Sequence, residues 1–148
     1  LAFGEDDKVL VESRVEGREI EVGVLAGRDG GRARASLPGE VVLTSRSFYD
    51  FEGKYLGGDG VEIVCPAHVE DAVIAQLQET AVRAFEAVDG KGLARVDFFL
   101  TSDGELVVNE LNTMPGFTPI SMFPKCWIAS GLSYGDLITE LVEAGMRD

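Results

Sequence analysis

Hydrophobic positions along this chain fall into short extended runs first and helical runs later. Val9 to Val15 and Glu19 to Leu25 predict two strands joined at Glu16-Gly17-Arg18, with a turn at Arg28-Asp29-Gly30-Gly31 before a third run, Ala33 to Val42. This is the order of a meander. Thr44 to Gly60 has no clean period and mixes glycine, serine and both signs of charge, so it predicts a loop longer than ordinary connections. Val61 to Val64 predicts a short strand stopped by Pro66. From Val69 to Val88 the period changes: Val69, Val73, Leu77, Ala81, Ala84, Phe85 and Val88 follow helical spacing and predict a helix covering one sheet face, ended by Gly90 and Gly92. Tyr134 to Met146 predicts a last helix with Ser133 as N-cap, Asp136 near the capping-box position, and an apolar face of Leu137, Ile138, Leu141 and Val142. Antiparallel strands with helices packed on one side make an α+β fold, and 148 residues amount to one domain.

The segment Arg95 to Lys125 adds chemistry to this pattern. Asp103-Gly104 between two β-rich runs predicts a hairpin with a two-residue turn, in which Ser102 faces Glu105. Counting back, Asp97 faces Glu110 and Arg95 faces Asn112, all on one face because strand side chains alternate. Facing carboxylates ~5 Å apart repel. A hard divalent cation held by two carboxylates and an amide oxygen offsets that repulsion, whereas a solvated acidic face with Arg95 as simple counter-charge is the plainer alternative. The hairpin runs into Thr113-Met114-Pro115-Gly116-Phe117-Thr118-Pro119, a loop able to aim a backbone N–H at an oxyanion, with Gly116 allowing close approach.

These residues resemble a known family. ARVDFFL followed by NELNTMPGFTPISMFPKCWIASG resembles the C-terminal signature of the D-alanine-D-alanine ligases of the ATP-grasp superfamily; SFYDFEGKYL, Ser47 to Leu56, resembles that family's mobile loop, and VLVESRVEGREIEVGVL its strand pair beside adenine and ribose. The resemblance implies an ATP-grasp C-terminal domain and ATP- and Mg²⁺-dependent (or Mn²⁺-dependent) ligation of two D-alanines. It implies Asp97, Glu110 and Asn112 as metal ligands, and Arg95 and Gly116 at the acyl phosphate and tetrahedral oxygens. Glu12 is placed at the adenine edge, Glu19 at the ribose hydroxyls, Phe48 on the adenine, Lys54 at the phosphates and Phe99 in the ATP site. Tyr55 closes over the substrates, and Ser121 and Met122 receive the second substrate's carboxylate. Ser13 stands where several relatives carry Lys, so only a backbone contact is expected there.

Charge and cysteine content narrow the alternatives. Twenty-six acidic against 13 basic side chains give a formal charge of -13, which argues against nucleic acid as a partner. No apolar run reaches membrane-spanning length, and the expected setting is cytoplasmic. Cys65 and Cys126 have no zinc or C-x-x-C spacing and read by default as two buried thiols, with a disulfide between them the lesser option; His68, the only histidine, is given no role, and Lys125 reads as surface charge. The small-molecule partners implied are ATP and D-alanine, in an enzyme for which a homodimer is one open assembly. The family's glycine-rich phosphate loop, its first-substrate domain and its general base are not recognisable here, so the chain reads as the C-terminal part of a longer enzyme and, alone, as inactive. Two other readings stay open: another ATP-grasp ligase, such as a D-alanine-D-lactate ligase, and a nucleotide- and metal-binding module without turnover.

Overall fold

The computed structural model describes residues 2–28, 31–43 and 61–146. Among these residues six strands form one antiparallel sheet: β1 Arg18–Leu25, β2 Arg34–Ala35, β3 Gly39–Leu43, β4 Val61–Val64, β5 Leu93–Leu100 and β6 Leu106–Asn112. Their order is β4-β3-β1-β5-β6, with β2 also on β1. The described residues also hold three α-helices, which follow the strands or separate them: α1 Asp71–Ala87, α2 Met122–Ala129 and α3 Tyr134–Gly145. A short 3-10 turn, Ala2–Gly4, precedes β1. The expected α+β class is what the chain adopts.

Alternation along β1 divides the molecule. Ile20, Val22 and Val24 point to one face and, with Ala94, Val96, Phe98 and Leu100 of β5, meet Leu77, Ala81 and Phe85 of α1 in the main core. Each fully buried Val, Leu, Ile or Phe side chain among them contributes about 1.5–3 kcal/mol of apolar burial. Gly23 and Leu25 lie on the opposite face, where α2 and α3 pack: Leu25, Phe123, Trp127 and Leu137 form the second core. Helices therefore cover both faces, not one as the pattern predicted. The reason is visible at two glycines. A Cβ at Gly23 would lie 2.8 Å from Trp127 Nε1, and one at Gly39 would lie 2.1 Å from Met122 Sδ, so α2 needs bare backbone beneath it.

Other expectations are corrected. Residues 9–15 lie in no strand, and Leu10 and Val11 are exposed; β2 and β3 occupy one edge of β1 and β5 the other, which leaves that segment no edge on β1. Ala33 to Val42 is broken at Ser36-Leu37-Pro38 into β2 and β3. There the Ser36 hydroxyl accepts from Gly23 N–H at 2.9 Å while Ser36 N–H donates to the Gly23 carbonyl at 2.8 Å, so a side chain substitutes for one rung of the ladder. The first helix starts two residues later than expected and ends in a Schellman motif, Gly90 N–H to the Phe85 carbonyl and Asp89 N–H to the Glu86 carbonyl. Its left-handed residue is Asp89, φ 52°, and Gly90 is required for space because a Cβ there would meet the Phe85 ring at 2.5 Å. The last helix begins as predicted: Ser133 Oγ accepts from Asp136 N–H at 3.1 Å. Leu137 is buried, but Ile138 and Val142 are exposed, so its apolar face is narrower than the spacing implied.

Buried Glu140 of α3 accepts from Arg28 and Arg34, and Arg34 also lies 5.0 Å over the Trp127 ring. Burial pushes the Glu140 carboxyl up, yet the hydrogen bonds from Arg34 and then Arg28 outweigh it and hold the carboxyl below its ordinary range. A depressed folded value stabilises above the unfolded carboxyl range and is lost as pH falls through the folded value. Glu140→Gln should cost about 2 kcal/mol near neutral pH, less than for a wholly buried pair because both arginines are half exposed. In urea titrations the gap between wild type and variant should close below about pH 4. A constant gap down to acid would show that charge is not what Glu140 contributes.

Candidate functional site

The β5–β6 hairpin sets the candidate site. Asp97 pairs with Glu110 and Arg95 with Asn112, as the count from the sequence requires. The turn is nonetheless different. Thr101 N–H donates to the Glu105 carbonyl and Gly104 N–H to the Thr101 carbonyl, both at 3.0 Å, with φ +86° at Gly104 and no positive φ at Asp103. The loop thus has three residues, and near it Phe98 faces Val108 and Leu100 faces Leu106. A bulge between Asp97 and Phe98, where Asn109 is the unmatched residue of β6, restores the predicted register at the acids.

Pairing of β1 with β5 extends the row. Glu19 faces Phe99, Glu21 faces Asp97 and Gly23 faces Arg95, so these side chains share the surface that carries Glu110 and Asn112. Arg95 grips Asp97 with a fork, Nε to Oδ1 and Nη2 to Oδ2 both at 2.7 Å, and its Nε lies 3.1 Å from Glu21 Oε2. All three side chains are about nine-tenths buried, where charges persist only when paired. Glu110 is exposed at the rim, and Asn112 Oδ1 accepts from Met114 N–H at 3.0 Å. Among the described residues no three His, Cys, Asp or Glu side chains converge into a metal cage, so Asp97, Glu110 and Asn112 stand as a facing pair with a neighbouring amide.

The following loop is held by Ser121. Its hydroxyl accepts from Thr118 N–H at 3.0 Å and bonds the Thr118 hydroxyl at 2.8 Å, and a Cβ at Gly116 would lie 3.0 Å from it. Ser121 is the N-cap residue of α2 but makes no side-chain cap. Met122 is buried, its sulfur on Gly39, the residue opposite Glu21 in the β1–β3 pairing, so its side chain packs on the sheet beside the acids rather than opening to solvent. Glu12 lies in the exposed stretch before β1, apart from any strand, and Phe48, Lys54 and Tyr55 fall outside the described residues.

Comparison with known proteins agrees over nearly the whole segment. The family described as D-ala D-ala ligase C-terminus matches residues 1–143. The chain belongs to that family. A D-alanine–D-alanine ligase of Kocuria rhizophila is 54% identical over 142 residues, covering 96% of this chain and 37% of the relative. One from Bifidobacterium longum subsp. infantis is 51% identical over 148 residues, covering 97% of this chain and 38% of the relative. Among solved structures, the D-alanine-D-alanine ligase of Coxiella burnetii superposes with a TM-score of 0.80 at 39% identity, covering 98% of this chain and 36% of that one. The VanG D-Ala:D-Ser ligase of Enterococcus faecalis gives 0.75 at 34%, covering 88% and 37%. The chain thus spans little more than a third of the length of these relatives.

Within this ligase C-terminal segment, Glu21 is the site-face residue that sequence reading missed. Its signal was present in Glu19-Ile20-Glu21-Val22, whose alternation puts Glu21 beside Glu19. What the sequence lacked was the β1–β5 register that sets it against Asp97 and Arg95. No helix among the described residues is long and apolar enough to cross a membrane.

Proposed function

We propose that this chain supplies the nucleotide- and metal-binding face of an ATP-dependent ligase that joins two D-alanines through an acyl phosphate, for peptidoglycan precursors in the cytoplasm. The observation that carries the reading is the row Phe99–Glu19, Asp97–Glu21, Arg95–Gly23, continued across β6 by Glu110 and Asn112. Its donors fit a hard cation. Asp97 and Glu110 are facing carboxylates, Asn112 adds an amide oxygen, and no thiol or imidazole shares the row. Mg²⁺ bound there supplies charge neutralisation for the phosphates during transfer.

The chain's own residues do the rest. Arg95, fixed by Glu21, presents its guanidinium beside the oxygen donors, where it stabilises the acyl phosphate and tetrahedral oxygens together with Gly116 N–H. Glu21 would hold Arg95 in place if Asp97 shared an oxygen with the cation. Glu19 accepts from the ribose, Phe99 lies next to it on the nucleotide side, and Glu12 serves the adenine edge. Ser121 shapes the loop that receives the second substrate's carboxylate, and Met122 contributes through its backbone because its side chain is buried. Phe48, Lys54 and Tyr55 are assigned to adenine, phosphates and closure over the substrates.

The direct test is stoichiometry: the complete protein, given ATP, Mg²⁺ and D-alanine, should form D-alanyl-D-alanine, ADP and phosphate in equal amounts. ATP binding without dipeptide would leave only a nucleotide-binding module. D-Lactate and D-serine in competition with D-alanine identify the second substrate, a point made specific by the D-Ala:D-Ser ligase among the structural neighbours. Lys54→Ala should raise the ATP dissociation constant about 10-fold through a lost charge-assisted phosphate contact, whereas Tyr55→Phe should lower kcat and leave that constant unchanged. An unchanged ATP constant in Lys54→Ala removes Lys54 from the site.

A further inference from the structure

Cys65 and Cys126 stand 61 positions apart in the chain, yet their sulfurs are 3.7 Å apart. Cys65 follows the last residue of β4 and is partly exposed; Cys126 lies in α2 and is fully buried. Both are free thiols. Neither is among the residues proposed above to hold the cation, the nucleotide or the substrates. The setting is closely built: Cys126 Sγ lies 3.9 Å from the Glu21 carbonyl, and a Cβ at Gly39 would come within 3.0 Å of it.

We propose that this pair is a reversible dithiol site, in which Cys65 attacks a small-molecule disulfide and Cys126 then closes an intramolecular bridge. Exposure assigns the order, since only Cys65 is open to an incoming disulfide. Acidity agrees with it. The contact with Cys126 favours the Cys65 thiolate, and nearby Lys125 adds to this, against the opposing effect of burial. Contact with Cys65 and burial push the Cys126 thiol well up, so it waits as the resolving group. In the first step the Cys65 thiolate forms a bond to one sulfur of the oxidant and expels the other half as thiolate. In the second, Cys126 gives its proton to solvent, attacks Cys65 Sγ and releases the second half. Two protein thiols are oxidised and one disulfide is reduced to two thiols. The sulfurs must approach from 3.7 Å to about 2.05 Å for the bridge to form. Closure ties the end of β4 to α2, the helix that directly follows the Ser121 loop.

Oxidised glutathione is the probe. After incubation of the complete protein, a non-reducing peptide map should show the Cys65 and Cys126 peptides linked, with a loss of two hydrogens, no retained glutathione, and reversal by dithiothreitol. Cys126→Ser should stop at the first step and carry one glutathione on Cys65. Cys65→Ser should leave Cys126 unmodified while the fold holds. A wild-type protein that keeps glutathione on Cys65, or stays unmodified where the unfolded chain reacts, overturns the proposal. The wild-type arm alone decides this even if a variant fails to fold.

Discussion

Replacing Asp97 with Asn, or Glu110 with Gln, should lower kcat for D-alanyl-D-alanine formation by the complete protein at least about 10³-fold, close to 4 kcal/mol of lost transition-state stabilisation. Each change keeps the shape and removes one anionic oxygen donor. The two variants differ usefully in their surroundings. Glu110 is exposed and carries no ion pair among the described contacts, so Glu110→Gln should leave the unfolding midpoint where it is. Asp97 accepts both prongs of the Arg95 fork, but Asn keeps one acceptor oxygen and Glu21 remains 3.1 Å from Arg95 Nε, so Asp97→Asn should also stay folded. Turnover followed over a Mg²⁺ titration is the measurement. Wild-type rates for either variant at limiting Mg²⁺ would remove these residues from the metal site, whatever the fate of the ligase reading itself.

Legibility in the sequence followed the range of the interactions involved. The α3 start was readable because Ser133 and Asp136 cap it locally, three residues apart. The facing of Asp97 with Glu110 was readable from the hairpin, but through two errors that cancel. The turn has three residues instead of two, and the bulge near Asn109 returns the lost position before the acids are reached. Bulges leave little trace in composition, so only the strand pairing itself separates this path from the simpler one. Residues 9–15 have strand composition but find both edges of β1 occupied, and edge occupancy is a property of the whole sheet. The same holds for helices on both faces: alternation in β1 announces two faces, while Gly23 and Gly39 become meaningful only once Trp127 and Met122 are seen lying over them. Glu21 and the Cys65–Cys126 contact depend on pairings across dozens of residues, which no short window contains.

Arg95→Met should be the most destabilising single change on the acidic face, at about 3–5 kcal/mol, because it leaves Glu21 and Asp97 buried against each other without the cation between them. The apolar stem of Met fills the volume, so cavity formation is a small part of the loss. Charge is the part that a double-mutant cycle isolates. Adding Glu21→Gln to Arg95→Met should recover stability, whereas Glu21→Gln in the wild-type background should cost some, giving a coupling of about 1–3 kcal/mol between contacting residues. Arg95→Lys separates this structural role from chemistry. It keeps one positive charge near Asp97 but loses the two-pronged grip, so it should regain much of the unfolding midpoint while kcat remains depressed. Urea midpoints and turnover for the four proteins of the cycle, with Arg95→Lys beside them, give the reading. Additive losses in stability would show that Glu21 and Arg95 act independently, and full turnover in Arg95→Lys would take the guanidinium out of the reaction.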